Sequence, residues 1–420
     1  MNRNLATTWL VLLALIMVAC GTGPSPSPTA EAPPTTDETA AETDSAATGD
    51  PIRIGISLPL TGDFTEPGQG VQRGYEVWAS DVNAAGGLLG RQVELIVVDD
   101  ASDANRVVSD YERLITDEQV DLVFGPFSSR LVIPASEVAE RYEMLFVQPA
   151  GAAPDVFNRG LEYLFYAAPA TADRHGVLFA DYILGLPEGE RPASAAYAML
   201  DDPFAMATAD GVRAELEANG IETVFSEIYP PEQTDFATIA AEIADSGAEL
   251  VVGGTQFEDA VGLVRGMQEL AFQPQAVFMT TGPTIPDFDE AVGGAAEGIF
   301  APVGWSLDAE IESNVAFIES YREMFDGDDP SEDPANAYTV GQVVSQAVEA
   351  VGSVEDQAAL RDYVRDNEFD TVVGPLSFNE RGEPQGAHMI LQWQGGEIEI
   401  VLAPDESAVT AEPIHPKPGW

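Results

Sequence analysis

From residue 51 to the end of this 420-residue chain, short unbroken apolar runs alternate with amphipathic stretches of helical period, and few folds accept that alternation. The runs at 52–58, 93–98, 122–124, 145–147, 195–200, 222–228, 250–252 and 276–279 are mostly apolar throughout, as strands buried on both faces must be. Between them, Val71, Tyr75, Trp78 and Val82 share one helical face. Val107, Val108, Tyr111, Leu114 and Ile115 share another, and Phe236, Ile239, Ala240 and Ile243 a third. A strand–helix–strand order of this kind puts helices on both faces of parallel sheets. The pattern predicts three more helices over 309–325, 335–351 and 354–365, the last opened by a capping-box-like Ser353-Val354-Glu355-Asp356. Strands return at 371–378, 388–393 and 398–402. Roughly 350 residues exceed what one core usually serves, so two α/β domains are expected.

A different kind of sequence precedes residue 51. An apolar run from Trp9 to Ala19 follows a polar start with Arg3 and ends at Cys20, the only cysteine. At about 11 residues it falls short of the ~20 needed to cross a bilayer, so 1–19 is expected to be an export signal. Met17-Val18-Ala19-Cys20-Gly21 resembles the bacterial lipobox, in which the cysteine is lipidated and becomes the first residue of the mature chain; an ordinary signal peptide is the competing reading. A single cysteine excludes an intramolecular disulfide. Residues 20–50 carry five prolines among Ser, Thr, Ala and acids, with no large apolar side chain, and are expected to be a disordered stalk. About 30 residues of coil span on the order of 30 Å.

The formal charge is −53, from 71 acids against 18 basic residues. Such a surface repels nucleic acid and anionic membrane, and keeps an exported protein soluble. Catalytic patterns are missing as well. Gly68-Gln69-Gly70-Val71-Gln72-Arg73-Gly74 has the spacing GxGxxxG and is separated from the strand by the stretch Thr61 to Pro67, whereas a dinucleotide loop needs its tight turn at once; it reads as a helix start and a close-packing face. His175, His388 and His415 are too scattered along the chain to suggest a metal cluster or triad. The acidic loop at 326–333 lacks the EF-hand spacing and reads as a solvated turn. No enzyme, cofactor or metal is expected.

Four segments carry a resemblance. Residues 52–62 (IRIGISLPLTG), 83–91 (NAAGGLLGR), Asp99-Asp100 with Ser102-Asp103, and Gly125-Pro126-Phe127-Ser128-Ser129 together resemble the type I periplasmic binding proteins, in particular the leucine/isoleucine/valine-binding receptors of ABC transporters. The resemblance runs from about residue 51 through the tail, 405–420. It implies two doubly wound parallel-sheet lobes joined by three crossover segments, with a ligand in the cleft between them. The crossings are expected near 167–170, 301–304 and 372–376, making lobe one 51–168 plus 304–371 and lobe two 169–303 plus 372–404. Open α/β sheets bind ligands beyond the carboxyl ends of their strands, which supports the cleft on physical grounds.

Mapped onto this chain, the family's ligand-facing serine falls on Ser129, with Ser128 beside it; helix capping is the competing role for both. The next loop, Gln148 to Pro154, corresponds to a segment that grips the ligand through backbone and a threonine. Here Ala150 belongs to that segment, and Ala152 replaces the threonine. In lobe two, Phe204 stands for a cleft tyrosine, and Thr255, Gln256 and Thr281 lie in matching loops. Phe64, Trp305 and Tyr338 are further wall candidates. The family's acidic anchor for a ligand ammonium falls near Thr284, where no acid stands; Asp287 and Glu258 are the nearest carboxylates in the matching loops. The resemblance implies a monomeric receptor held at the outer face of the cytoplasmic membrane by lipid on Cys20. Its partners would be a small polar ligand, most simply an amino acid, with a non-amino-acid such as an amide or carboxylate as the alternative, and an ABC permease with its ATPase. A sensor signalling to a membrane receptor would use the same fold.

Overall fold

The computed structural model describes residues 49–420 apart from Glu310. The expected export signal, Cys20 and the stalk up to residue 48 lie outside the described residues. The first sheet is wholly parallel: β1 (Ile52–Leu58), β2 (Val93–Asp99), β3 (Leu122–Phe124), β4 (Phe146–Gln148) and β5 (Leu164–Tyr166) lie in the order β2-β1-β3-β4-β5. Strand order reverses between β1 and β3, so the loops leaving these two strands diverge and open a crevice.

The second sheet repeats the plan. It contains β6 (Ser194–Leu200), β7 (Glu222–Tyr229), β8 (Leu250–Gly254), β9 (Ala276–Met279) and β10 (Ile299–Val303). After a separate hairpin, β11 (Phe369–Thr371) and β12 (Gly374–Leu376), the chain adds β13 (Met389–Gln394) and β14 (Glu397–Leu402) to the same sheet. The order is β14-β13-β10-β9-β8-β6-β7, parallel from β7 to β10 and antiparallel beyond it. Its crevice opens between β6 and β8.

The observed strands follow the apolar runs to within two residues, with two additions. β5 is only three residues long, and β10 contains Pro302, a residue that weakens any strand signal. Residues 301–303, expected as a crossing, are therefore strand, and the chain leaves the second sheet at Gly304. The third crossing also lies elsewhere. Residues 372–376 stay on the first-sheet side: Val372 is buried with Phe317 in a satellite core, Leu376 and Phe378 are buried with Phe369, and Phe378 packs edge-on against Phe165 at 5.4 Å. Tyr166 N–H then donates to the Gly382 carbonyl, so the passage to the second sheet comes between Gly382 and Met389. A two-residue turn, Val372-Val373, closed by Gly374 at φ 94°, folds the expected single strand 371–378 into a hairpin, which is why the passage comes late.

Helices Glu312–Met324, Glu332–Val351 and Gln357–Asp366 return to the first sheet. The last begins later than its sequence suggested. Ser353 Oγ accepts from the N–H of Glu355 and Asp356 in a turn, and Asp356 is the cap, accepting from Ala359 N–H at 3.1 Å. Helix Thr65–Ala84 lies against Glu332–Val351 so closely that a methyl added at Gly74 would stand 2.1 Å from the Pro334 carbonyl oxygen, and one at Gly341 2.3 Å from the Trp78 indole. The glycine spacing of 68–74 is thus a packing face. Gly341→Ala is expected to cost about 1–3 kcal/mol by overpacking. A urea midpoint equal to that of the parent would contradict this contact.

Trp305 belongs to a satellite core, not a cleft wall. It is 5% exposed, its Nε1–H donates to Asn314 Oδ1 at 2.6 Å, and Phe317 meets it edge-on. Tyr338 packs on Phe317 and donates to Asp81 at 2.9 Å. Among the described residues, no helix is long and apolar enough to cross a membrane.

Candidate functional site

The loops beyond the carboxyl ends of both sheets converge on a chamber of about 70 Å3, with a wider groove of about 640 Å3 outside it. From the first sheet, the turn after β3 holds Ser128 at φ 72°, a left-handed conformation that a non-glycine residue adopts only when its surroundings impose it. That turn points Ser128 into the chamber, where its Oγ is 2% exposed as a residue and has no hydrogen-bond partner. Ser129, the serine singled out by the resemblance, does something else. Its Oγ accepts from Ala153 N–H at 3.0 Å and clamps the neighbouring loop; it does not line the chamber. One step along the chain exchanges the two roles because the helix Ser129–Arg141 starts there and turns successive side chains apart.

The second loop is shaped by Gln148. Its Oε1 accepts from the N–H of Ala150 and Gly151, and its Nε2 donates to the Gly151 carbonyl at 3.0 Å. Pro149 and Ala150 consequently face the chamber. Ala152 is 1% exposed inside the first core, with its carbonyl accepting from Ala172 N–H. The missing threonine hydroxyl at that position would therefore have pointed into apolar packing.

From the second sheet, Asp202 Oδ1 accepts from Phe204 and Ala205 N–H at 2.9 and 3.1 Å, which starts helix Pro203–Ala218 and sets Phe204 on the chamber wall. Gln256 begins helix Phe257–Glu269 in a reciprocal cap with Asp259 and lines both chamber and groove. Thr255 is fully buried; its N–H donates to Thr280 Oγ1 at 2.8 Å, and Thr280 Oγ1 donates back to the Thr255 carbonyl. It supports the wall from behind, while Thr280, Thr281 and Thr284 face the ligand space. Phe64 lies at the groove, packed on Phe127 at 5.8 Å.

Asp287 and Glu258 do not reach the chamber. Both line the outer groove, where with burial they raise the Glu66 carboxyl above its ordinary range, burial being the larger cause. The chamber's acids are Glu332 and Asp333, at the tail of the loop read from sequence as a solvated turn. They open helix Glu332–Val351, a favourable place for negative charge against the helix dipole. Burial raises both carboxyls, Asp333 well above the ordinary range, with Glu332 and Glu66 adding to it. Glu332 Oε1 accepts from Gly304 N–H at 2.8 Å.

Two of the three histidines also meet. His175 and His388 stack with ring centroids 3.7 Å apart, His388 Nε2 lies 3.6 Å from Glu332 Oε1, and Phe204 stands edge-on to His175. Burial lowers both rings to about 3, so they are uncharged at neutral pH; each ring is disfavoured further by a neighbour, His388 for His175 and Arg174 for His388. His388 Nδ1 and Asn336 Oδ1 are buried without partners. Among the described residues, no group of three or more His, Cys, Asp or Glu is placed to hold a metal. No local signal marked this cluster, since its members come from four separate segments.

A match to the family described as periplasmic binding protein extends over residues 51–397. Leu/Ile/Val-binding protein homolog 1 of Brucella abortus is 26% identical over 348 residues, 82% of this chain and 91% of its own length. The leucine-binding protein LivK of Thermotoga maritima shares the fold with a TM-score of 0.75 at 18% identity, covering 84% of this chain and 99% of that one. A solute-binding protein of R. palustris in complex with benzoate gives 0.74 at 19% identity, covering 86% and 99%. The family match covers the first sheet, the second as far as the start of β14, and every residue that lines the chamber, and so the chain belongs to the periplasmic binding proteins, in the type I group that includes the Leu/Ile/Val-binding receptors.

Proposed function

We propose that this protein is the solute receptor of an ABC importer, exported, anchored through lipid on Cys20, and binding one small polar compound in the chamber. The observation that carries the reading is the chamber's joint construction. Ser128 and Ala150 come from the first sheet, Phe204, Gln256 and Thr281 from the second, and buried polar atoms in it are left without partners. An unsatisfied buried polar atom costs about 1–3 kcal/mol, which a ligand's hydrogen bonds would recover. The two lobes would be 51–168 with 304–382, and 169–303 with 388–404, hinged at the three crossings. Relatives named for leucine, isoleucine and valine, and one solved with benzoate, support a compound of that size.

The action would be mechanical. Contacts made by both lobes exist only in the closed form, so a ligand shifts the open–closed population by its differential affinity, and a permease reads the closed shape. The stalk would hold the receptor near that permease and raise its local concentration. Small-angle scattering is expected to show a smaller radius of gyration with saturating ligand than without it. An unchanged radius under a ligand that raises the melting temperature would sink the closure mechanism. Ser128→Ala is expected to weaken that ligand about three- to tenfold, as loss of one hydrogen bond predicts, and unchanged calorimetric affinity would remove Ser128 from the site.

A further inference from the structure

Several features of the chamber point to the charge of its ligand. Glu332 and Asp333 both line it, and no lysine or arginine is among its lining residues. Among the described residues, the only basic side chain within 4 Å of the Glu332 carboxylate is His388 at 3.6 Å, an uncharged ring. Beside the carboxylates, two side chains more than nine-tenths buried present unpartnered polar atoms on the same wall: Asn336 Oδ1, at 5% exposure, and His388 Nδ1, at 3%. An amide oxygen only accepts. With the His388 proton on Nε2, facing the Glu332 carboxylate, Nδ1 is an acceptor too. Acceptors thus dominate this end of the chamber, and they are desolvated. Ser128 Oγ, on the first-sheet side, is the free hydroxyl available to a ligand's polar remainder.

Resting on the reading of this site as a solute chamber, we propose that its ligand carries a protonated, N–H-bearing amine held by Glu332 and Asp333 with Asn336 Oδ1. The anchor for that ammonium comes from the start of helix Glu332–Val351 in the first lobe, and not from the second-lobe loop at Thr284. Without ligand the two carboxyls face no cation, and their burial costs more than the Gly304 N–H bond and the helix start return, so they act against stability when empty and for affinity when filled. Amine-free carboxylates of similar size would meet two carboxyls and no cation among the lining residues.

The test uses the protein from residue 49 onward joined to its natural stalk, and a panel of L-amino acids and C2–C6 primary amines set beside their amine-free carboxylates, benzoate included. Melting temperature identifies binders and calorimetry gives Kd. At least one amine-bearing compound is expected to bind, with its deaminated partner weaker by tenfold or more. Glu332→Gln, which keeps an oxygen for Gly304 N–H, and Asp333→Asn are each expected to weaken the amine about 10- to 100-fold. Both variants should melt at or above the parent's temperature without ligand, where a merely structural role would lower it. Binding by amine-free acids alone, or an amine whose Kd neither variant changes, overturns this proposal and leaves the receptor reading standing. Silence of the whole panel overturns both.

Discussion

Lowering the pH from 7 to 4 is expected to remove about 3 kcal/mol of stability for each of His175 and His388. Both rings titrate near 6.5 when exposed and near 3 in the folded protein, because burial disfavours the imidazolium. A folded pKa below the unfolded one means that the unfolded chain binds more protons between about 6.5 and 3. Stability conferred by the neutral rings is therefore full above 6.5 and is lost as pH falls through that window. Other charged groups around the pair bear on the size of the effect. Glu332 and Asp173 favour the charged form of His175, whereas Arg174 opposes that of His388. The raised carboxyls of Glu332 and Asp333 act with the opposite sign, since the folded form takes up their protons first as pH falls. Urea midpoints at pH 7, 5 and 4 for the parent and for His388→Phe measure the difference directly. The variant should lose about 3 kcal/mol less over that range, and parallel curves would show that His388 is not buried neutral.

Gly304→Ala is the second large effect. A Cβ at this position would lie 2.7 Å from Glu332 Oε1, 2.9 Å from His388 Nε2 and 2.9 Å from Pro169 Cδ. Those neighbours sit on or beside all three passages between the sheets, so one methyl would strain each of them. The carboxylate tip can move away, but the His388 ring is held by its stack on His175, and the proline ring is rigid. Overpacking of this kind costs about 1–3 kcal/mol. Shifting Glu332 also breaks its hydrogen bond from Gly304 N–H and displaces the proposed ammonium anchor. The expected result is a lower melting temperature together with at least tenfold weaker ligand binding. Parental affinity in a folded variant would show that the junction tolerates a side chain and that Glu332 need not sit where it does.

Much of the site's outline was legible before the structure, and its errors have physical causes. Ser128, Ala150, Phe204, Gln256 and Thr281, named through the family resemblance, line the chamber, since each follows a strand's carboxyl end, where an open parallel sheet must present its loops. Ser129, Ala152 and Thr255 share those loops but face inward, and no periodicity distinguishes the two sides of an irregular turn. Phe64 reaches only the outer groove, and Trp305 was misplaced because an indole with one polar atom suits a core with Asn314 as well as a ligand wall. Glu332 and Asp333 looked like the end of a solvated acidic turn. What brings them inward is the packing of Gly74 on Pro334, which belong to helices far apart in the chain.

The sequence alone determined the strands, the helical faces and their alternation, because burial of one face or two is written into local periodicity, and that pattern calls for helices on both faces of parallel sheets; the doubly wound pair of lobes was implied by the family resemblance. It also determined the acidity of the chain. Tertiary structure decided which polar groups are taken out of water. His175 and His388 become a neutral stack, two carboxyls at a helix start become an uncompensated pair, and Ser128 instead of Ser129 keeps a free hydroxyl. Those properties depend on desolvation and on distances between segments far apart in the chain, and no local pattern of residues encodes either.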